Sequence, residues 1–122
     1  VNGDSALARA DRIGRAAASE GFDWPDVTGP IAKVREELLE VEEVIAVEPH
    51  SAERAESELG DLLFSVVNVA RHLGVDPERA LLAACDRFEA RYAGVRARVT
   101  PHTTSLVELD AAWEAVKRDE HR

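Results

Sequence analysis

Two acidic clusters, carried by two amphipathic segments with one short link between them, constrain this chain more than any other feature. The first reads Lys33-Val-Arg-Glu-Glu-Leu-Leu-Glu40, and seventeen residues later the second reads Glu58-Leu-Gly-Asp61. At 3.6 residues per turn, Glu37 and Glu40 project from neighbouring points on one side of a helix, as do Glu58 and Asp61. Like charges at such spacing repel by about 0.2–0.5 kcal/mol per pair unless something positive sits between them. A hard cation reverses that sign. Mg²⁺ favours oxygen ligands in an octahedron and usually keeps several waters, so three or four carboxylates beside a phosphate suit it.

The competing reading is a solvated face, because helix-surface acid pairs are common and 24 of the 122 residues are acidic. Position relative to the apolar seam favours the metal reading. In the first segment Ile31, Val34, Leu38, Val41 and Ile45 recur at three- and four-residue steps, and Lys33, Glu37, Glu40 and Val44 run along the edge of that stripe. In the second, Leu59, Leu62, Leu63, Val66, Ala70 and Leu73 are expected to form the buried side, with Arg54, Glu58, Asp61, Ser65 and Asn68 as a polar row beside it. Glu36 falls farther from the seam. A short link makes the two helices antiparallel neighbours. Counting back from the turn near His50, Glu40 and Asp61 each lie about 15 Å along their axes, so they meet at one height. Gly60 costs about 1 kcal/mol relative to Ala in a helix, which predicts close packing or close ligand approach there.

The remaining elements follow from punctuation. A first helix is predicted over 4–20, capped by Asp4 or Ser5, with Leu7, Ala10, Ile13 and Ala17 on its apolar face and Gly21 at its end. Gly21-Phe-Asp-Trp-Pro-Asp26 is a loop, and its two aromatics either plug the end of the bundle or line a pocket, packing being the commoner use. The first acidic helix starts near Gly29-Pro30 and stops before Pro49; Ser51 caps the second, which runs to Leu73 with Gly74 as its stop. Asp76-Pro77 opens a fourth helix over 77–98, whose inner face is assigned to Leu81, Ala84, Cys85, Phe88, Tyr92 and Val95. Its outer side is basic, and Arg87 and Arg91, one turn apart, can form either a phosphate clamp or a solvated face. Ser105-Leu-Val-Glu108 is a capping box for a last helix to about Asp119, on which Trp113 is either a lid on the core, the commoner use, or a base-stacking platform.

The whole is expected to be one all-α domain over 1–122: a bundle of four core helices plus a C-terminal helix, with no sheet. A net charge of −9 argues against nucleic acid or an anionic membrane as partner. One cysteine excludes an internal disulfide, and Cys85 reads as a core residue with no base partner to activate it. Nothing resembles a signal peptide or a membrane span, so a cytoplasmic setting fits; the absence of methionine suits a domain cut from a longer protein. Gly-rich phosphate loops, Cys/His zinc spacings and Ser-His-Asp arrangements are all missing.

Taken together, Gly21-Phe-Asp-Trp24, Lys33-Val-Arg-Glu-Glu-Leu-Leu-Glu40, Glu58-Leu-Gly-Asp-Leu-Leu-Phe64, Asn68-Val-Ala-Arg-His-Leu-Gly74, Arg87-Phe-Glu-Ala-Arg-Tyr92 and Trp113-Glu-Ala-Val-Lys117 resemble the MazG family, and most of all the C-terminal, catalytic domain of its two-domain bacterial members. The resemblance covers nearly the whole chain in order. It implies an all-α fold whose members pair as homodimers, and Mg²⁺-dependent hydrolysis of a nucleoside triphosphate to the monophosphate and pyrophosphate, with Mn²⁺ as a substitute metal and broad base specificity suited to nucleotide-pool housekeeping. It further implies metal ligation by Glu37, Glu40, Glu58 and Asp61, with Glu36 in or next to that set and Glu36 or Glu37 accepting the proton of the attacking water. Lys33, Arg54, Arg87 and Arg91 would hold the phosphates, Asn68 would line the site and Trp113 would contact the nucleoside. Arg87 stands where close relatives often carry Lys, and guanidinium grips phosphate oxygens in a different geometry from ammonium. Two other readings stay open: a narrow-specificity deoxynucleotide or phosphoribosyl-ATP pyrophosphohydrolase, and a non-enzymatic helical dimerisation module.

Overall fold

The computed structural model describes residues 4–121, which form five helices and no strand. These are α1 (Ala6–Ser19), α2 (Thr28–Ile45), α3 (Ala52–His72), α4 (Pro77–Arg98) and α5 (Leu106–Glu120), matching the expected order with ends displaced by a few residues. The chain divides into two compact units, Val1–Ala80 and Leu81–Arg122.

In the first unit the ends of the helices are set by their cap chemistry. Ser5, and not Asp4, caps α1, its hydroxyl accepting from the Ala8 N–H at 3.1 Å. Gly21 follows the helix at φ +94°, a conformation that costs glycine little. Asp26 accepts from the Thr28 N–H at 2.9 Å and fixes the entry to α2. Ser51 caps α3 by accepting from the Arg54 N–H at 3.2 Å, and Asp76 accepts from the Glu78 N–H at 2.9 Å at the start of α4.

Packing departs from the expected seam. Within this unit α2 and α1 both pack on α3. The side chains they bury include Val44 and Val67, each 2% exposed, together with the polar Glu37, Ser65 and Asn68. Only part of the stripe expected to be buried is covered: Ile31, Val34, Val41, Leu62 and Ala70 are half-buried, while Leu38, Ile45, Leu59, Leu63, Val66 and Leu73 are 46–60% exposed. The reason is which side of α3 receives the neighbours. Within this unit they cover the part of its polar row that carries Ser65 and Asn68 and leave the leucine face open. Of the two uses expected of Gly60, close packing is not seen, since a Cβ added there would meet nothing within 4 Å. The close approach occurs instead at Gly14, where a Cβ would stand 2.9 Å from Asn68 Oδ1, and at Gly29, where it would stand 2.1 Å from Trp24 Cδ1.

In the second unit α4 and α5 close on Val95, Ala112 and Val116, with Val99, Leu109 and Trp113 packed against them. Val95 is the one member of the expected α4 inner face that is fully buried; Leu81, Cys85, Phe88 and Tyr92 are exposed and Ala84 half-buried. A single fifteen-residue partner covers one stripe of a twenty-two-residue helix, so the rest of the α4 apolar face has no cover in this unit. The capping box forms by half. Ser105 accepts from the Glu108 N–H at 3.3 Å, but the Glu108 carboxylate turns back to the Thr100 N–H and the Thr100 and Thr103 hydroxyls, which pull its pKa down.

Candidate metal centre and its cavity

The two acidic motifs meet between α2 and α3. One oxygen from each of Glu37, Glu58 and Asp61 lies within 4.8 Å of the others, and Glu36, Glu37 and Glu40 form a second such group that shares Glu37. The short link and the equal distance of the motifs from it put them at one level, as the helical rise requires. Glu37 sits at the centre, 5% exposed. The Lys33 ammonium, one turn earlier on α2, stands 3.1 Å from Glu37 Oε1 and 3.2 Å from Glu36 Oε1, and these contacts raise its pKa. Glu40 is pushed up to about 7, first by its hydrogen bond with Glu58 and then by that with Glu37, because adjacent carboxylates cannot all ionise without help.

Two buried oxygens in this cluster, Glu37 Oε2 and Glu58 Oε2, have no hydrogen-bond partner. A desolvated carboxylate oxygen without a partner is costly, and a cation is the group that removes the cost of several at once. The donor set is all oxygen, which suits hard divalent ions and not zinc in a cysteine or histidine site. The clusters could therefore hold a metal ion, through Glu36, Glu37 and Glu40 or through Glu37, Glu58 and Asp61.

A cavity of about 610 Å³ opens beside the cluster. Lys33, Glu37, Asp61, Ser65, Asn68 and Arg71 make its polar lining, and Ile13, Gly14, Ala17, Phe22, Trp24 and Phe64 its apolar lining. Its size falls within the range typical of small-molecule sites. Of the two readings of the loop aromatics, the pocket lining is the one seen: Phe22 is 83% exposed and plugs nothing, while Trp24 lies in the notch left by Gly29. Asp23 between them is clamped by Arg71, Nη1 and Nη2 donating to its two oxygens at 2.8 and 2.9 Å, and touches His72 Nε2 at 2.9 Å. Those bonds hold the Asp23 carboxyl well below the usual carboxylate range.

Asn68 and Lys33 thus line the cavity, whereas Arg54 is exposed in the first turn of α3. Arg87, Arg91 and Trp113 belong to the second unit. There Arg91 Nε donates to the Glu120 carboxylate at 2.9 and 3.1 Å, an ion pair that raises the arginine pKa, and its guanidinium lies 5.9 Å from the Trp113 ring centroid. Arg91 is therefore held by Glu120, while Arg87 is exposed; the pair does not form a ready-made clamp. Trp113 packs on the local core and tilts against Phe88 at 5.5 Å. The sequence reading missed Asp23, Arg71, Gly14 and Gly29. Gly29 beside Pro30 was visible only as a helix start, and Gly14 gave no local signal, since what it admits comes from another helix.

Fold and site define an all-α protein with clustered carboxylates that could hold a metal ion between α2 and α3, beside a cavity of small-molecule size. The model of the MazG nucleotide pyrophosphohydrolase domain matches residues 26–95, more than half the chain, and the chain belongs to that family. It is 41% identical over 117 residues to the nucleoside triphosphate pyrophosphohydrolase/pyrophosphatase MazG of Thermotoga maritima, covering 92% of this chain and 44% of that protein. It is 38% identical over 120 residues to the nucleoside triphosphate pyrophosphohydrolase of Escherichia coli K12, covering 94% of this chain and 46% of that protein. The chain thus spans about half the length of these curated relatives. Among the described residues no helix is long and apolar enough to cross a membrane.

Proposed function

We propose that residues 1–122 act as one catalytic domain that hydrolyses nucleoside triphosphates to nucleoside monophosphate and pyrophosphate, with Mg²⁺ as the working ion and Mn²⁺ able to replace it. The observation that carries this reading is the pair of buried, unpartnered oxygens on Glu37 and Glu58, two residues of one carboxylate group whose members Glu37 and Asp61 line a cavity that also holds a lysine. Family membership supports the same reading.

On this proposal Glu37, Glu40, Glu58 and Asp61 bind the metal. A divalent ion bound there would neutralise phosphate oxygens and make water a better nucleophile. Glu36 or Glu37 takes the proton of the water that attacks the α-phosphorus; Glu36 has the freer position, exposed at the rim and outside the four-carboxylate set. Lys33 stabilises charge on the departing pyrophosphate, a task for which its raised pKa keeps it cationic. Asn68 and the aromatic loop bound the space for the nucleoside. Ring faces stack on any base, which supports broad base specificity and a housekeeping role. Arg54, Arg87, Arg91 and Trp113 keep the phosphate and nucleoside roles that the family resemblance implies, and Arg91 would have to exchange Glu120 for substrate.

The exposed leucine face of α2 and α3 supports a homodimer, since an apolar stripe of this extent on a soluble helix pair calls for cover. The experiment for the activity is pyrophosphate release from the eight common ribo- and deoxyribonucleoside triphosphates, with Mg²⁺ and with chelator. Metal-dependent release from many bases is the expected result. Release from one base alone would favour a narrow-specificity enzyme, and a folded but inert protein would favour a non-enzymatic module.

A further inference from the structure

Arg71 lines the cavity, yet its charge is already taken. Its two terminal nitrogens both go to Asp23, and Nη2 also reaches Asn68 Oδ1 at 3.2 Å. The side chains of Arg71 and His72 are each 10% exposed and that of Asp23 22%, so the assembly is largely shielded from water. A guanidinium has five donors and no acceptor, so the Asn68 oxygen must face Arg71, and what Asn68 has left to offer is its amide NH₂. Gly14 makes room for this pairing: a Cβ there would stand 2.9 Å from Asn68 Oδ1 and 3.1 Å from Arg71 Nε. At the other end, Asp23 lies between Phe22 and Trp24, both of which line the cavity.

We infer that Asp23 is a positioning residue for the substrate cavity, acting through Arg71: a single ion pair pins the aromatic loop against α3 and fixes which face of the Asn68 amide the cavity receives. The inference rests on the cavity being the substrate site proposed above. Both terminal nitrogens of Arg71 are engaged by Asp23 and Asn68, so its part in the cavity is to hold these two residues. Asp23 and Arg71 lie outside the carboxylate cluster, so loosening them alters how substrate is held and leaves the metal-dependent step intact.

The test compares Asp23→Asn with the unaltered chain in steady-state kinetics on a nucleoside triphosphate, and in fluorescence with Trp113→Phe as background so that Trp24 alone emits. The expected result is a rise in KM of about tenfold, the effect of losing one charge-assisted hydrogen bond, with kcat within about twofold, together with a red shift and easier acrylamide quenching of Trp24. Unchanged KM with unchanged emission overturns the inference, and so does a fall in kcat at constant KM, which would mean a direct chemical role. Gly14→Ala supplies a second route if Asp23→Asn does not fold. It displaces the flexible ends of Asn68 and Arg71 without removing a charge and must reproduce the KM effect; wild-type KM in that variant also overturns the inference. If the unaltered chain turns over no triphosphate while Asp23→Asn still shifts Trp24 emission, the pyrophosphohydrolase reading fails and the positioning of the loop stands.

Discussion

Replacing Glu37 by Gln should move the stability of the metal-free and metal-loaded protein in opposite directions. Glu37 is 5% exposed and has Glu58 and Asp61 oxygens within 4.8 Å. At that separation each like-charge pair costs at least ~1 kcal/mol even with water-like screening. Glutamine keeps the shape and removes the charge, and forfeits the half-exposed ion pair with Lys33, worth about 0.5 kcal/mol. The chelated variant should therefore gain about 1 kcal/mol or somewhat more. With 122 residues, each kcal/mol corresponds to about 4 °C in Tm. Metal works the other way. Mg²⁺ at about 100 times its Kd stabilises by ~2.7 kcal/mol, roughly 10 °C. A variant that has lost about a hundredfold in affinity keeps only ~0.4 kcal/mol of that at the same concentration. Differential scanning fluorimetry with chelator and with a Mg²⁺ titration reads both numbers. A variant that melts several degrees lower in chelator, or that keeps the full Mg²⁺ shift, would refute the assignment of Glu37 to the centre of a metal site.

Three further outcomes follow from the same geometry. Glu40 in the folded chain holds its proton up to about 7 against an ordinary glutamate value of 4.5, so between those values the folded state binds more proton than the unfolded one. The stability it contributes is complete below the lower value and is lost as pH rises through the upper; melts in chelator should fall from about pH 5 to about pH 7.5, and Mg²⁺ should flatten or reverse that slope. Asp61→Asn should abolish pyrophosphate release while leaving the far-ultraviolet circular dichroism unchanged, because Asp61 is exposed and supports no packing; full activity would remove it from the mechanism. Leu63, 56% exposed in the middle of the open apolar face, should convert a dimer to a monomer when changed to Glu, as read by multi-angle light scattering, and a wild-type monomer would count against pairing altogether.

How much of this was legible in the sequence depends on whether the signal is local. The five helices were, because their starts and stops rest on Ser5, Ser51, Asp76, Ser105 and the glycines at 21 and 74, each acting within a turn of itself. The facing of Glu37 and Glu40 by Glu58 and Asp61 was too, since helical rise and a short link fix the level at which residues of adjacent helices meet. What periodicity could not give was which side of an amphipathic helix its neighbours cover. It reads the leucines of α3 as buried, and yet α1 and α2 pack on the row that carries Ser65 and Asn68. Gly14 and Gly29 were silent for a related reason: each is shaped by a side chain distant in sequence or just outside its helix, Asn68 and Arg71 in one case and Trp24 in the other.

That inversion is itself informative about the site. A seam between helices normally stabilises a fold by burying apolar surface, and here much of the seam between α2 and α3 goes to carboxylates, a serine and an asparagine while leucines stay outside. Such an arrangement is stable only if other terms offset the desolvated charge. Lys33 supplies part, contacting Glu36 and Glu37, and the raised proton affinity of Glu40 beside Glu58 and Glu37 supplies more. The remaining deficit sits on two buried oxygens with no partner in the chain, which is where a divalent cation has the largest differential affinity for the folded state. The outward leucines leave apolar surface that α1 and α2 do not cover, and the proposed pairing with another copy would bury it. On this reading metal binding and pairing are separable contributions to one fold: a charge reversal at Leu63 removes the second while leaving the Mg²⁺ shift in place, and Glu37→Gln removes the first while leaving the oligomer intact.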